Sequence, residues 1–278
     1  MSTSGRLAAA MLCLCFAALV AAQTPPLTPD QDKLIEAMRR YADQYISSLP
    51  NFLCVQVTEQ FQGDAQGEHW HRGDTLTQKL VFQGGHEERT LELVNHKPVK
   101  PGRKHWRAPL TTEGEFGMLL DRVLGPASAA TLEWRGWDTV RDRRVAVFNF
   151  SIDQQHSTLT LTLEEFARAT VPHHGSIYAD PATGAVWRIT NIADDIPPRI
   201  QTKNIATTID YGEIPIGAGN YILPLAASVF LSTGLSSSRN EIQFKSYRKF
   251  DADSTITFGP EQPGATTKAR AETDKQPL

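Results

Sequence analysis

Two pairs of histidines are the residues of this sequence whose types and spacing most resemble a metal site. His69 and His71 flank a tryptophan, and alternate residues of a strand point to the same side, a spacing that zinc sites use. His173 and His174 form a second pair. Nothing fixes a third or fourth ligand at a characteristic spacing, and no His-Glu-x-x-His motif occurs. We therefore expect surface histidines beside turns and no bound metal.

One pair of carboxylates could in principle act as a general acid and a general base. Glu164 and Glu165 precede Arg168, but neighbouring residues diverge in a strand and in a helix, so they would not share a site. The chain has no Gly-x-Ser-x-Gly motif and no phosphate-binding glycine loop. We expect no catalytic residue and no cofactor. An enzyme whose site is assembled from distant residues stays open as an alternative.

The cysteines predict a buried thiol. Cys13 and Cys15 fall in an apolar N-terminal segment that we expect to be removed as a signal peptide. The mature chain would then keep only Cys54 and could not form an internal disulfide. Cys54 lies in an alternating, strand-like stretch, where a free cysteine behaves as a small hydrophobe. The local sequence offers neither the cation nor the helix N-terminus that would activate the thiol.

The N-terminus predicts export. Arg6 precedes an uncharged run from Leu7 to Val20, and the small residues Ala21-Ala22 precede the polar Gln23. This layout is typical of a secretory signal peptide over residues 1–22, cleaved near Ala22-Gln23. The run is short for a membrane span of about 20 residues. We expect a periplasmic or secreted protein with no integral membrane span after cleavage.

The charge of the chain argues against one class of partner. The formal net charge of −3 is mildly acidic, whereas nucleic-acid binding needs a basic surface. Basic residues do gather between Lys97 and Arg107. Most such runs are solvated loops, and the alternative is a rim that touches an anionic head group or a protein partner.

Two helices and many strands would position any site. Thr28 caps the first helix, Pro29 suits its first turn, Gln31 completes a capping box, and Pro50 closes it. A second apolar stripe predicts a short helix over Phe116 to Leu124. Elsewhere apolar and polar residues alternate, most cleanly from Ser157 to Leu163, and short turn signals separate the segments. The pattern predicts a mainly β (α+β) fold: a single strongly curved antiparallel sheet, a half-barrel, with both helices packed on it.

The predicted domain organisation follows from composition. After the signal peptide (1–22) comes a Pro-rich spacer (23–29), then one half-barrel domain (30–258). Residues 259–278 form a polar tail that cannot bury enough apolar surface to order itself.

The order of elements resembles a known family. The helix ending at Leu49-Pro50-Asn51-Phe52, and the strand meander with the hairpin Gly175 to Ile189 around Asp180-Pro181-Ala182-Thr183-Gly184, resemble the periplasmic lipoprotein-carrier superfamily, the LolA/LolB-like half-barrels. Later segments around Asp210-Tyr211-Gly212 also resemble uncharacterised exported proteins of acidobacterial type. The resemblance implies a concavity that holds acyl chains or hydrophobic segments, without catalytic residues. It also implies an arginine on an inner strand near the lid, for which Arg188 and Arg135 are the candidates.

These observations lead to a hydrophobic-ligand hypothesis. The sequence predicts an exported, non-enzymatic binder or carrier of a lipid or acyl chain. The candidate ligand-binding residues are Phe148, Phe150, Leu159, Leu161, Leu163, Trp187 and Ile189. The alternative for these residues is simple packing beneath the helices. The alternative function is an envelope protein-interaction or sensor domain that binds a protein partner through the sheet edge, the basic segment or the tail.

Overall fold

The computed structural model describes residues 27–99, 115–163 and 167–250. Several predicted segments lie outside the described residues: the signal peptide, most of the spacer, the Glu164-Glu165 pair, most of the basic segment and the C-terminal tail.

Helix α1 spans Pro29–Ser48, and the predicted capping box is confirmed. The Gln31 backbone N–H donates to Thr28 Oγ1 (3.3 Å), and the Thr28 backbone N–H donates to Gln31 Oε1 (2.8 Å). Helix α2 spans Met118–Leu124 and is followed by a 3₁₀ turn over Pro126–Ser128.

The described chain contains thirteen strands. Their bounds are β1 Phe52–Gly63, β2 Trp70–Gln83, β3 His86–Val94, β4 Lys97–Pro98, β5 Thr131–Val140, β6 Arg143–Ile152, β7 Thr160–Leu163, β8 Ala167–Thr170, β9 His173–Ala179, β10 Val186–Ala193, β11 Asn204–Ile216, β12 Gly219–Ser232 and β13 Ser237–Lys249. Eleven of them form one antiparallel sheet in the order β4-β3-β2-β1-β13-β12-β11-β10-β9-β6-β5. The mainly β fold with two helices is therefore confirmed.

Strands β7 and β8 form a separate two-stranded hairpin. The cleanly alternating segment from Ser157 to Leu163 was expected to join the main sheet. The side chains of Leu159 and Leu161 instead pack into a small cluster with Val171, Ala193 and Ile200. The Ser157 hydroxyl donates to the backbone oxygen of Val171, which ties the start of the hairpin to its end. Alternation predicts a strand but does not say which strand it will pair with.

The two faces of the sheet differ in what covers them. In β6, Ala146 and Phe148 belong to one large core together with α1 and α2, whereas Val145 and Val147 belong to a separate cluster. Since alternate residues of a strand point to opposite faces, both helices lie on one side. We call this side the inner face and the other the outer face. Buried side chains of α1 on the inner face are Leu34, Ile35, Met38, Ala42 and Tyr45.

The β9–β10 hairpin shows how closely α1 approaches the sheet. Asp180 Oδ1 accepts hydrogen bonds from the backbone N–H groups of Ala182 and Thr183, as expected for a turn opened by Asp-Pro. Gly184 has a φ of 74°, and a Cβ there would stand 2.5 Å from the Ala37 backbone carbon. Only glycine meets both demands, so this turn fixes where α1 crosses the end of the sheet.

Candidate functional site

The structure distributes the predicted ligand-binding residues over three clusters. Phe148, Phe150 and Ile189 are buried together on the inner face beneath the helices. Trp187 is buried on the outer face with Val140, Val145, Val147 and Tyr178. Leu161 is buried in the β7–β8 cluster, Leu159 packs against it, and Leu163 lies in β7. The inner face therefore brings three of the seven together directly.

A β-bulge separates two of the candidates. Trp187 and Ile189 are two residues apart, which in a regular strand would place them on one face. The pairing of β10 with β9 shifts register between Val186 and Arg188, so Val186 joins the inner core while Trp187 turns outward. An extra residue in one strand re-aims the following side chains in this way.

Helix α2 packs against the inner face, and we call α2 together with Phe116 the plug. Its side chains Leu119, Leu120, Val123 and Leu124 are all buried. Phe116, just before it, packs its ring 5.4 Å from that of Phe52 and 5.3 Å from that of Phe244 (centroid distances). Aromatic contacts at these distances add to simple burial. The short helix thus supplies the apolar groups that cover the strands from the inside.

A largely buried ionic cluster ties the segment before α2 to the sheet. Arg89 Nη2 of β3 lies 2.9 Å from Glu115 Oε2 and 2.6 Å from Glu87 Oε2. Arg89 Nε donates to Gln56 Oε1 (3.1 Å), and the Tyr211 hydroxyl donates to the Glu115 backbone oxygen (3.2 Å). Glu115 is only 1% exposed. Burial raises the pKa of Glu87, and the positive charge of Arg89 opposes that rise. We call Arg89, Glu87, Glu115 and Gln56 the Arg89 cluster.

Sequence reasoning placed the inner-strand arginine elsewhere. Arg188 forms a two-pronged ion pair with Asp210 (2.5 and 3.0 Å), and its neighbour Arg135 donates to the Tyr178 hydroxyl (3.4 Å). Tyr178 belongs to the outer-face cluster, so both candidates lie on the outer side. Arg89 is the arginine that pairs opposite the core residue Leu80. Arg89 lies in a charged stretch of sequence that resembles a solvated turn. The only sequence signal for this cluster is that Glu87 and Arg89 are two residues apart, which places their side chains on the same face of a strand.

The seam between the two helices is open. A cleft of about 540 Å³ lies between α1 and the end of α2, and its lining is Arg39, Arg40, Asp43, Leu124, Gly125, Pro126, Ser128 and Ala129. On the other side of α1, the Tyr45 hydroxyl donates to the Ile222 backbone oxygen of β12 (2.8 Å). Before α2, Gly117 has a φ of 119°, and a Cβ there would stand 2.5 Å from Ile46 Cγ1. The helices therefore meet closely at one end of α2 and part at the other.

The reactive side chains have unreactive surroundings. Cys54 is fully buried, as predicted, and burial raises the pKa of its thiol to about 12. Exposed His69 binds Asp64 (Nδ1 to Oδ2, 2.7 Å), whereas His173 is fully buried and departs from the expected surface position. In the part of the chain that the structure describes, no group of three or more His, Cys, Asp or Glu side chains could hold a metal ion. No described helix is both long and apolar enough to cross a bilayer.

Comparisons with known proteins identify similar structures but no similar sequence. Neither the protein-family models nor the curated proteins contain a match. A LolA superfamily protein from Nitrosomonas europaea has a TM-score of 0.39 at 8% identity, covering 78% of this chain and 94% of that one. An outer membrane lipoprotein-sorting protein domain from Vibrio parahaemolyticus has a TM-score of 0.36 at 10% identity, covering 78% and 92%. A DUF1329 family protein from Desulfovibrio piger has a TM-score of 0.34 at 9% identity, covering 83% and 96%. The chain is thus similar in structure to LolA superfamily and lipoprotein-sorting proteins, at low identity.

Proposed function

We propose that this protein is an exported, non-enzymatic binder or carrier of a hydrophobic ligand, a lipid or an acyl chain, in the periplasm. The observation that carries the proposal is the plug: a seven-residue helix, α2, buries an apolar stripe on the inner face. A ligand chain would take the place of those side chains when α2 moves aside. Phe148, Phe150 and Ile189 would then line the ligand, since they lie in the same core as α2.

The contacts of α1 support a strongly curved sheet. The β2–β3 and β9–β10 turns lie at the same end of the antiparallel sheet, six strand spacings apart, or about 29 Å if the sheet were flat. Yet Gly85 of the first turn approaches Ile46, and Gly184 of the second approaches Ala37. Nine residues of helix span only about 14 Å. A curved sheet brings the turns together and creates the concavity that a ligand needs.

The exchange of plug for ligand is energetically balanced. The five buried side chains of Phe116 and α2 contribute roughly 8 to 15 kcal/mol, at 1.5 to 3 kcal/mol each. Burial of an acyl chain with about 15 methylenes contributes roughly 12 kcal/mol. The two sums are comparable, so binding and release can both occur. The Arg89 cluster then sets how readily the plug leaves.

Native mass spectrometry of the mature chain from Gln23 tests the proposal. We expect a co-purifying lipid or fatty-acid mass that is lost on denaturation. Delipidated protein should also bind a fluorescent acyl probe, and Leu120→Glu, which puts a charge into the plug, should change the probe's affinity. The exposed substitution Arg143→Gln is the matched control. A clean apo mass together with no probe binding would contradict the proposal.

A second candidate function is an envelope interaction domain that binds a protein partner. Strand β5 favours this function because it lies at one edge of the sheet. Trp137 on β5 is 51% exposed, and the Arg144 guanidinium stacks 4.0 Å from its ring centroid. Aromatic residues of this kind anchor protein interfaces. Trp137→Ala, or charge reversal between Lys97 and Arg107, should then reduce partner capture from envelope extract. Unchanged capture with both variants would argue against this function.

A further inference from the structure

The residue just before the plug is a buried acid. Glu115 is 1% exposed, and its Oε2 accepts a hydrogen bond from Arg89 Nη2 (2.9 Å). Its backbone oxygen accepts a hydrogen bond from the Tyr211 hydroxyl (3.2 Å). A buried carboxylate is costly unless a cation and hydrogen-bond donors meet it. Arg89 meets both demands, so the inner face contains a site that holds one oxyanion.

The groups that hold this oxyanion belong to the sheet, so they stay in place when the plug moves. Arg89 lies in β3 opposite Leu80 of β2, and its Nε donates to Gln56 Oε1 of β1 (3.1 Å). Glu87, also in β3, lies 2.6 Å from Arg89 Nη2 through its Oε2, but this oxygen accepts no aligned hydrogen bond from the described residues. Glu115 leaves together with the plug, because it directly precedes Phe116. Arg89 then loses the acceptor of one of its hydrogen bonds.

An apolar pocket adjoins the oxyanion site. The ring of Phe116 packs against the rings of Phe52 (5.4 Å) and Phe244 (5.3 Å). Phe52 of β1 stacks on Phe82 of β2 (5.0 Å), so the pocket borders the strands that carry Arg89 and Gln56. The buried side chains of α2 follow Phe116 in the same core: Leu119, Leu120, Val123 and Leu124. From Glu115 onward, the segment is thus a carboxylate followed by apolar groups, which is the chemistry of a fatty acid or an alkyl phosphate.

We propose that the Glu115 carboxylate occupies the site at which Arg89 binds the oxyanion of the ligand, either a carboxylate or a phosphate at one end of the bound chain. This inference rests on the proposed hydrophobic-ligand function. A ligand with an oxyanion restores the hydrogen bond that Arg89 loses when Glu115 leaves. A neutral ligand leaves that bond unmade at a guanidinium of which only 16% is exposed, where the loss is costly. The site therefore selects acidic amphiphiles over neutral ones.

Three ligands with the same 12-carbon chain test the site on delipidated protein at neutral pH: laurate, dodecyl phosphate and 1-dodecanol. We expect at least one of the two oxyanions to bind about tenfold or more tightly than the alcohol, because charge-assisted hydrogen bonds are the strong ones. A preference for laurate indicates a fatty-acid ligand. A preference for dodecyl phosphate indicates a phosphorylated lipid.

Glu115→Gln weakens the internal competitor of the ligand. The substitution replaces a charge-assisted hydrogen bond by a neutral one, so the plug should leave more readily and all three ligands should bind about fivefold more tightly. The preference for the oxyanion should equal that of the wild type, because Arg89 is still present. Unchanged affinities would show that Glu115 does not compete with the ligand, and would overturn the proposal.

The double variant Arg89→Gln/Glu115→Gln tests the cation. Removal of both partners leaves no Glu115 charge buried without its cation, so this variant avoids the main penalty of Arg89→Gln alone. It should bind the three ligands with similar affinity. If Arg89 only holds the plug, the double variant keeps the oxyanion preference, and that result would also overturn the proposal. The control is Arg143→Gln/Glu213→Gln, which removes an exposed ion pair (2.8 Å) and should bind all three ligands like the wild type.

Two further outcomes separate this site from the carrier function. Equal affinity of the wild type and of Glu115→Gln for all three ligands would overturn the oxyanion site but not the carrier function. Failure of all three ligands to bind to either protein would overturn both.

Discussion

At the scale of single residues, Arg89 ties the segment that precedes α2 to the sheet. One guanidinium lies within 3 Å of two carboxylates, Glu87 and Glu115, of which Glu115 is almost completely buried. Clusters of this kind contribute little net stability, but removal of one partner leaves the other charges unpaired in the interior. The Arg89 cluster therefore acts as a latch on the segment that leads into α2.

Arg89→Gln tests the latch. We expect a loss of about 3 to 5 kcal/mol in the free energy of unfolding, because the buried carboxylate of Glu115 and the partly buried carboxylate of Glu87 lose their counter-charge. Urea denaturation measures it. The control is Arg143→Gln, which breaks an exposed pair with Glu213 and should cost less than about 1 kcal/mol. Equal effects of the two substitutions would mean that Glu115 does not depend on Arg89.

Glu87 makes stability depend on pH. Its folded-state pKa is raised above the ordinary value of 4.5, so its contribution is fully present below that value and is lost as the pH rises through the folded pKa. Glu87→Gln keeps a polar partner for Arg89 and removes this titration. We expect the variant to lose less stability than the wild type between pH 4 and pH 7, measured by urea denaturation at several pH values. An unchanged slope would show that Glu87 is ionised without cost.

At the scale of elements, the approach of α1 to the β9–β10 turn is a close contact that a substitution can probe. Gly184→Ala would strain a positive φ and push a Cβ into the Ala37–Met38 backbone, for an expected cost of about 3 kcal/mol or more. Gly84→Ala is the matched control, since Gly84 also has a positive φ (57°) but has nothing within 4 Å. It should cost only about 1 kcal/mol. Thermal unfolding compares the two, and similar losses would argue against close packing of α1.

The elements also show which parts of the fold are predictable from sequence. The first helix could be located because its capping box and Pro50 are local signals. The β9–β10 turn was predictable for the same reason, from Asp180-Pro181 and Gly184. The outward turn of Trp187 was not, because a bulge depends on how β9 and β10 pair.

The candidate site was less predictable than the fold. Alternation alone was enough to place Phe148, Phe150 and Ile189 on one face, since the strands that carry them are regular there. Arg89 could not, because its burial depends on Glu115, 26 residues later in the chain. His173 resembled one half of a surface pair, and only its contacts with Asn191 of β10 and Phe150 of β6 show that it is a buried residue.

At the scale of the whole molecule, Cys54 offers a test of the proposed movement of the plug. It is the one cysteine of the predicted mature chain and lies in the same core as the side chains of α2. A thiol reagent reaches it only when the structure opens. We expect labelling in native buffer to be about a hundredfold or more slower than in the unfolded chain, and nearly independent of low urea concentrations. Labelling that follows global unfolding at all urea concentrations would contradict a mobile plug.

The strand order has a consequence for the folding of the chain. Strand β1 lies between β2 and β13, so among the described strands β1–β4 connect to the rest of the sheet only through β13. Until residues 237–249 are available, strands β1–β4 form one half-sheet, strands β5, β6 and β9–β12 form another, and both have bare edges. Such distant pairing predicts slow folding and exposes unpaired edges to aggregation. Because the chain is synthesised from its N-terminus, we expect the strand edges to need protection from aggregation until β13 pairs with both half-sheets.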